Sequence, residues 1–288
     1  MIRPAHILQP GPPMAKRLVA IEARGRAFRL VLPAGASLLA AAAEGFAREG
    51  FDSGTLEFGA LALAPFAYVT PALSQTPEHA AFYSPTFRPA GVTRLEAGAM
   101  TLGMRDGAPF FHCHALWREA DGKVCGGHIL PEETFLAEAA EVDAFGLDGA
   151  CFTATRDPET NFKLFEPVAA PRRGVEAPAR ALAVRLRPNR DFAGALEALC
   201  AERGIARARL RGGVGSTIGA AFVDGRIVAN FATEVFIRDG RIETGPEGPR
   251  AALDVGLVDF TGATASGALR RGDNPVLMTF ELAIEALA

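Results

Sequence analysis

The sequence predicts an α+β protein of two similar domains, each a mostly antiparallel β-sheet flanked by one or two helices. Three observations lead to this fold class. The chain has 288 residues, a length that suits one large or two small domains. Its two halves open with the same order of strand, helix and glycine. Short β-patterned segments with glycine turns then follow in each half, so sheet is expected to dominate both.

The repeat is clearest at the start of each half. Residues 26–51 have the pattern of a strand, a short connection and a helix closed by Gly50. Residues 181–205 repeat this order, with Asp191 as the helix N-cap and Gly204 just after the helix. The chain is therefore predicted to be a duplicated domain.

A proline-containing stretch without apolar periodicity separates the two copies. We therefore predict a first domain at residues 15–168, a linker at 169–179 and a second domain at 180–288. The prolines before Met14 are typical of a loose tail, and Met14 itself is a candidate for the true start of the protein.

Composition narrows the functional classes. Hydrophobic residues make up 49% of the chain and charged residues 22%, which is typical of a globular protein with a sizeable core. The net charge of −3 lacks the basic excess of proteins that bind mainly to phosphate groups. All basic residues of the second half are arginines, which fits either a genomic preference for arginine or an anion-binding surface.

The cellular compartment is suggested by cysteine usage. The four cysteines form no CxxC pair and are too few for a disulfide framework, which favours a reducing compartment. The start of the chain lacks the apolar core of a signal peptide. No stretch approaches the roughly 18 apolar residues of a membrane span. We expect a cytoplasmic protein without membrane contacts.

Aspartate-glycine pairs mark the predicted hairpin turns, because both residue types accept the left-handed backbone of tight turns. They occur at Asp106-Gly107, Asp121-Gly122, Asp224-Gly225 and Asp239-Gly240. Each pair is expected to join two antiparallel strands.

Three of the five histidines lie close together on the second of these hairpins. His112 and His114 share one face of a strand because side chains alternate along it. A three-residue loop at 120–122, with Gly122 left-handed, places His128 directly opposite His114. Directly opposed residues have Cβ atoms about 4.5–5.5 Å apart. The three imidazoles are then expected to converge.

This convergence predicts a metal site. Three neutral imidazoles with an open fourth position are typical of catalytic zinc sites, and iron, nickel and manganese are the alternatives. A two-residue loop, or a bulge at Gly126-Gly127, would instead turn His128 to the opposite face. In that case the histidines would be partly buried sheet residues bonded to backbone. The two glycines also permit a ligand or a neighbouring backbone to approach the metal face.

Several other side chains near the hairpin have candidate roles. Glu141, with Glu138, could supply a carboxylate partner or a general base, and either also fits the solvated side of its segment. Cys113 and Cys125 have the wrong parity for the histidine face and are expected to be small core residues. Tyr83 lies in a polar and aromatic cluster that we interpret as a loop packed on the core.

These residues resemble a known family, the plants-and-prokaryotes conserved (PPC) domain, also called DUF296 or the PD1-like DNA-binding domain. The resemblance rests on four strings: His112-x-His114, Asp121-Gly122, Gly126-Gly127-His128 and Ala140-Glu141-Val142. It implies an antiparallel sheet flanked by helices, assembly into homotrimers, and, as in prokaryotic members, a metal held by three histidines. Those histidines are His112, His114 and His128, and zinc is the expected metal.

The resemblance transfers less well in two respects. Plant members join the domain to AT-hooks, but Arg24-Gly25-Arg26 is followed here by Ala27 instead of proline. The second half has no histidine, so it cannot form its own three-histidine site. We expect the second domain to complete the oligomer, to cover the metal pocket, or to bind an anion with its arginines.

Three functional hypotheses follow from the sequence. The first is a metal-binding protein that acts on or senses a small molecule at the histidines, with hydrolytic or lyase chemistry as the natural class for an enzyme. The second is a DNA-binding regulator. The third is a structural or assembly module without chemistry.

Overall fold

The computed structural model describes residues 3–287 and confirms the predicted α+β class with mostly antiparallel sheets. The first domain contains β1 (Leu18–Leu32), α1 (Leu38–Arg48), β2 (Gly54–Phe58), β3 (Leu61–Leu63), β4 (Tyr68–Val69), β5 (Pro71–Ala72), β6 (Phe82–Tyr83), β7 (Thr93–Arg105), β8 (Ala108–Arg118), β9 (Val124–Ile129), a 3-10 helix (Pro131–Glu133), β10 (Ala140–Asp148), β11 (Ala150–Arg156) and β12 (Lys163–Ala169). The second domain contains β13 (Ala179–Leu186), α2 (Phe192–Glu202), β14 (Arg207–Ala221), β15 (Ile227–Gly245), β16 (Gly248–Asp259), β17 (Thr264–Ala268) and β18 (Val276–Leu287).

One large sheet runs through both domains, joined by antiparallel pairing of β1 with β13. Outward from this junction, the first domain continues as β10, β2, β7, β8 and β9. The second domain continues as β18, β14, β15, β16 and β17. Counting β1 and β13, six strands of the first domain thus have a counterpart at the same place in the second, which is the topology expected of a duplicated domain.

The helices confirm the predicted repeat in detail. Each spans 11 residues, and each begins with a side chain that accepts a hydrogen bond from the first turn, Ser37 in α1 and Asp191 in α2. Gly50 and Gly204 follow the two helices with φ values of +86° and +63°. Each helix packs on an apolar cluster of its own domain, so each half has its own hydrophobic core.

Three of the four predicted hairpin turns are present. The pairs that begin at Asp106, Asp121 and Asp224 each lie between antiparallel strands or in a turn. The prediction at Asp239-Gly240 was wrong, because this pair lies inside β15 at a register shift with β16. A β-bulge adds one unpaired residue to a strand, and it favours the same small and polar residues as a turn.

Four charged side chains, three of them buried, join the two domains. Arg185 donates to Asp157 at 2.6 Å and to Glu166 at 2.5 Å, and Arg187 donates to the same two carboxylates. The side chains of Arg185 and Asp157 are each only 1% exposed. Because β13 supplies both arginines and the first domain both carboxylates, this network fixes the domains to each other.

The network predicts an acid-sensitive component of stability. Burial raises the pKa of Asp157, but Arg185, the backbone amide of Thr160 and Arg187 outweigh burial, so the pKa is lowered overall. A lowered folded-state pKa stabilises the protein fully above the unfolded value of about 3.9, and this contribution is lost as pH falls through the folded value. In urea titrations between pH 7 and pH 3, the unfolding free energy should therefore fall more steeply in wild type than in Asp157→Asn. If the unfolding free energy fell equally steeply with pH in the two proteins, Asp157 would not be the source of this acid sensitivity.

Residues 3–17, which precede β1, contact both domains, so the prediction of a loose tail was wrong for them. Gln9 is only 6% exposed and donates through its side chain to the Leu277 carbonyl at 2.8 Å. Ile7 exchanges hydrogen bonds with Asn189, and the Gly11 amide donates to the Glu159 carbonyl. Contacts with both domains hold the segment. Among residues 3–287, no helix is long and apolar enough to span a bilayer.

Candidate metal centre

The histidine hairpin has the predicted register. Strands β8 and β9 are joined by a turn in which the Gly122 amide donates to the Glu119 carbonyl, and Gly122 has a φ of +89°. His114 is therefore directly opposite His128 in the ladder. The expected three-residue loop sets this register, because a loop of two residues would have reversed the face of His128.

The three histidines converge on one point. One ligand nitrogen from each of His112, His114 and His128 lies within 4.8 Å of the others. His112 Nε2 is 3.0 Å from His114 Nε2, which is 3.3 Å from His128 Nδ1. A tetrahedral ion with bonds of 2.0–2.1 Å separates its nitrogen ligands by about 3.4 Å. The cluster is therefore close to the size that such an ion requires.

Two of the rings are oriented by the second domain. His112 Nδ1 contacts a carboxylate oxygen of Glu281 on β18. His114 Nδ1 is 3.0 Å from the backbone carbonyl of Val235 on β15. Both partners are acceptors, so both Nδ1 atoms carry the proton and both Nε2 atoms present a lone pair. Two lone pairs 3.0 Å apart repel each other unless a cation lies between them.

The protonation state suits metal binding. Burial lowers the pKa of His114 well below its ordinary value, and the neighbouring His112 and His128 add to this effect. Burial and His112 likewise lower the pKa of His128. Neutral imidazole is the form that coordinates a metal. The donor set, its spacing and its protonation therefore fit a divalent cation such as zinc.

The two glycines before His128 permit close approach of neighbouring backbone. A Cβ on Gly127 would lie 2.4 Å from the Val69 carbonyl oxygen of β4. A Cβ on Gly126 would lie 3.2 Å from Val258 of the second domain. Gly127 thus permits the predicted approach of a neighbouring backbone, whereas Gly126 leaves room for a side chain of the second domain.

A cavity of about 60 Å³ adjoins the cluster at the boundary between the domains. Its lining includes His112, His114 and Tyr83 of the first domain and Glu234, Met278 and Thr279 of the second. Glu234 is 6% exposed, and neither of its carboxyl oxygens has a hydrogen-bond partner among residues 3–287. Burial raises the pKa of Glu234 well above its ordinary range.

A larger pocket of about 260 Å³ also adjoins the cluster. It is also lined by His112, His128 and Tyr83, together with the basic side chains of Arg105 and Lys163. The Tyr83 ring is centred 5.3 Å from the His128 ring. Tyr83 was interpreted from sequence as part of a packed loop, and the structure adds that it lines both spaces beside the histidines.

The remaining sequence candidates lie elsewhere. Glu141 is 51% exposed and pairs with Arg29 at 2.8 Å, while Glu138 pairs with Arg94 on the surface. A catalytic role for Glu141 stays a prediction. Cys113 and Cys125 are buried in the core of the first domain, as predicted, and burial raises the pKa of both thiols.

Sequence reasoning missed Glu281 and Glu234, since the second half contains no histidine to draw attention to them. The repeat carried a signal for Glu281. Val31 of β1 pairs with Glu141 in the first domain. Arg185 is the counterpart of Val31 in the repeat, and it pairs with Glu281. Glu281 is therefore the second-domain equivalent of Glu141.

Comparison with known proteins agrees with the fold. No protein-family model matches the chain, and no curated protein matches it. A plant- and prokaryote-conserved (PPC) protein from Pyrococcus horikoshii is 20% identical, with a TM-score of 0.41, over 52% of this chain and 97% of that one. Half of this chain is thus similar to a PPC protein. The resemblance inferred from the histidine strings is to the same family.

Two other solved structures match a similar share of the chain. A metal-containing protein from Archaeoglobus fulgidus is 23% identical, with a TM-score of 0.39, over 50% of this chain and 94% of that one. A proposed DNA-binding protein from Ralstonia eutropha is 14% identical, with a TM-score of 0.34, over 49% of this chain and 90% of that one. Each of these matches covers about half of this chain.

Proposed function

We propose that this protein binds one divalent metal ion, zinc by preference, through His112, His114 and His128, and that it binds or transforms a small molecule there. The observation that carries the proposal is the convergence of three ring nitrogens within 4.8 Å, with two of the opposite nitrogens held by acceptors. Hydrogen bonds of this kind orient histidine ligands in metal sites.

The surroundings support a small molecule as the partner. A metal with an open position supplies Lewis acidity and an activated water, which suits hydrolytic or lyase chemistry. The 60 Å³ cavity holds only a few non-hydrogen atoms. Glu234 lines this cavity close to the His128 backbone amide, and neither of its oxygens has a well-formed hydrogen bond among the described residues, so it would bind a hydrogen-bonding group of the ligand.

Metal loading tests this proposal. Protein prepared without a polyhistidine tag, dialysed against zinc and then desalted, should retain close to one equivalent by elemental analysis. Removal of the metal should lower the melting temperature, because a ligand at 100 times its dissociation constant stabilises the folded state by about 2.7 kcal/mol. Retention of no stoichiometric metal, together with an unchanged melting temperature, would refute the proposal.

The DNA-binding alternative has less support. Most arginines of the second half form ion pairs with carboxylates of the same chain, such as Arg209 with Glu57 and Arg271 with Glu197. These pairs neutralise charge that contacts with phosphate would need. We therefore place small-molecule binding first, and we retain the homotrimer as an expectation that a solution mass measurement would test.

A further inference from the structure

Glu281 is buried in a way that calls for a physical explanation. Its side chain on β18 is 0% exposed. One carboxylate oxygen contacts His112 Nδ1, and the other has no hydrogen-bond partner among residues 3–287. Burial of a carboxylate costs several kcal/mol unless a partner compensates it. The described partner of this carboxylate is a histidine from the other domain.

The duplicated strand provides an internal comparison. Glu141 occupies the equivalent position on β10, where it is 51% exposed and pairs with Arg29. The fold of one domain therefore does not require a buried carboxylate at this position. Burial of Glu281 arises from the way the second domain packs against the histidine hairpin.

The contact has a definite effect on His112. An imidazole can rotate about its side-chain bonds and can place its proton on either nitrogen. A carboxylate at Nδ1 fixes the proton there, aims Nε2 at the cluster and raises the basicity of that lone pair. The Val235 carbonyl does the same for His114 without a charge. Two of the three rings are thus oriented by a domain that contains no histidine.

We propose that the second domain is a structural half of the metal centre and that Glu281 is the positioning residue for His112. This inference rests on the proposed function, since it concerns the affinity of the same site. It gives the duplicated domain a role beyond packing: the first copy supplies the ligands, and the second copy supplies the carboxylate that orients one of them.

The test compares three variants of the full-length protein: E281A, E281Q and, as the matched control, E141A. Zinc affinity is measured by competition with a chromophoric chelator. Because loss of a carboxylate that orients a histidine ligand costs about 10- to 100-fold in metal affinity, we expect that loss in E281A. The amide oxygen of E281Q still accepts from Nδ1, so its loss should be smaller. E141A should match wild type.

A second measurement distinguishes loss of the Glu281–His112 contact from a general disturbance of the fold. In the metal-free protein, the ring Nδ1 proton of His112 should give a slowly exchanging, downfield NMR signal that disappears in E281A and persists in E141A. If E281A bound zinc as tightly as wild type and kept the His112 Nδ1 proton signal, this inference would be wrong while the proposed function would stand. Failure of the wild type to bind zinc would overturn the proposed function and this inference with it.

Discussion

The double substitution His112→Ala/His128→Ala is expected to reduce bound zinc from about one equivalent to almost none. Two of the three ligand nitrogens are then lost, and His114 alone cannot hold the ion. Removing a residue that only orients a metal ligand lowers metal affinity by about 10- to 100-fold. Loss of two ligands should therefore lower zinc affinity by more than about 100-fold. Elemental analysis and chelator competition would measure both quantities.

The matched control for this experiment is His6→Ala, which removes an exposed histidine outside the cluster. We expect that variant to bind zinc as tightly as wild type. If the double variant kept its metal, or if His6→Ala lost it, the ion would have to be held elsewhere and the assignment of the three histidines would be wrong.

The second large effect concerns stability. Arg185→Met is expected to lower the unfolding free energy by about 3–5 kcal/mol, because Asp157 and Glu166 would then share Arg187 alone and one buried negative charge would be uncompensated. Here Asp157 and Glu166 would both lose a partner between the domains. Arg185 also donates to the Thr279 hydroxyl at 3.0 Å, and Thr279 lines the cavity beside the histidines. Urea denaturation monitored by circular dichroism would measure the change.

Arg180→Met is the control for Arg185→Met. Arg180 lies on the same strand, but its pair with Glu22 is exposed, with 41% of each side chain accessible. Exposed pairs contribute less than about 1 kcal/mol. Equal loss of unfolding free energy in the two variants would mean that the buried network stabilises the contact between the domains no more than an exposed ion pair does.

Local patterns allowed the sequence to predict much of this structure. The Asp191 helix cap, the glycines after the two helices and the repeated order of strand and helix along the chain all follow from short-range signals. The position of His128 followed from the length of one turn. Side chains alternate along a strand, so His128 could lie only on the face of His114 or on the opposite face, and a three-residue turn with Gly122 left-handed places it on the face of His114. Site geometry within a single hairpin is therefore readable from sequence.

Contacts between the domains could not be read in this way. Glu234, Val235 and Glu281 reach the histidines because β1 pairs with β13 and places the two halves in one sheet. No local pattern in the sequence indicates that β1 pairs with β13. The misassigned turn at Asp239-Gly240 has a related cause, since a bulge and a turn favour the same residues and differ only in what the partner strand does.

The most direct test is a crystal structure of the zinc-loaded, untagged protein, with diffraction recorded on both sides of the zinc absorption edge. We expect one anomalous peak, about 2.0–2.1 Å from His112 Nε2, His114 Nε2 and His128 Nδ1. The Glu281 carboxylate should remain on His112 Nδ1. A fully loaded crystal with its zinc peak elsewhere, or with these three nitrogens too far apart to share an ion, would contradict the metal centre on which the proposed function depends.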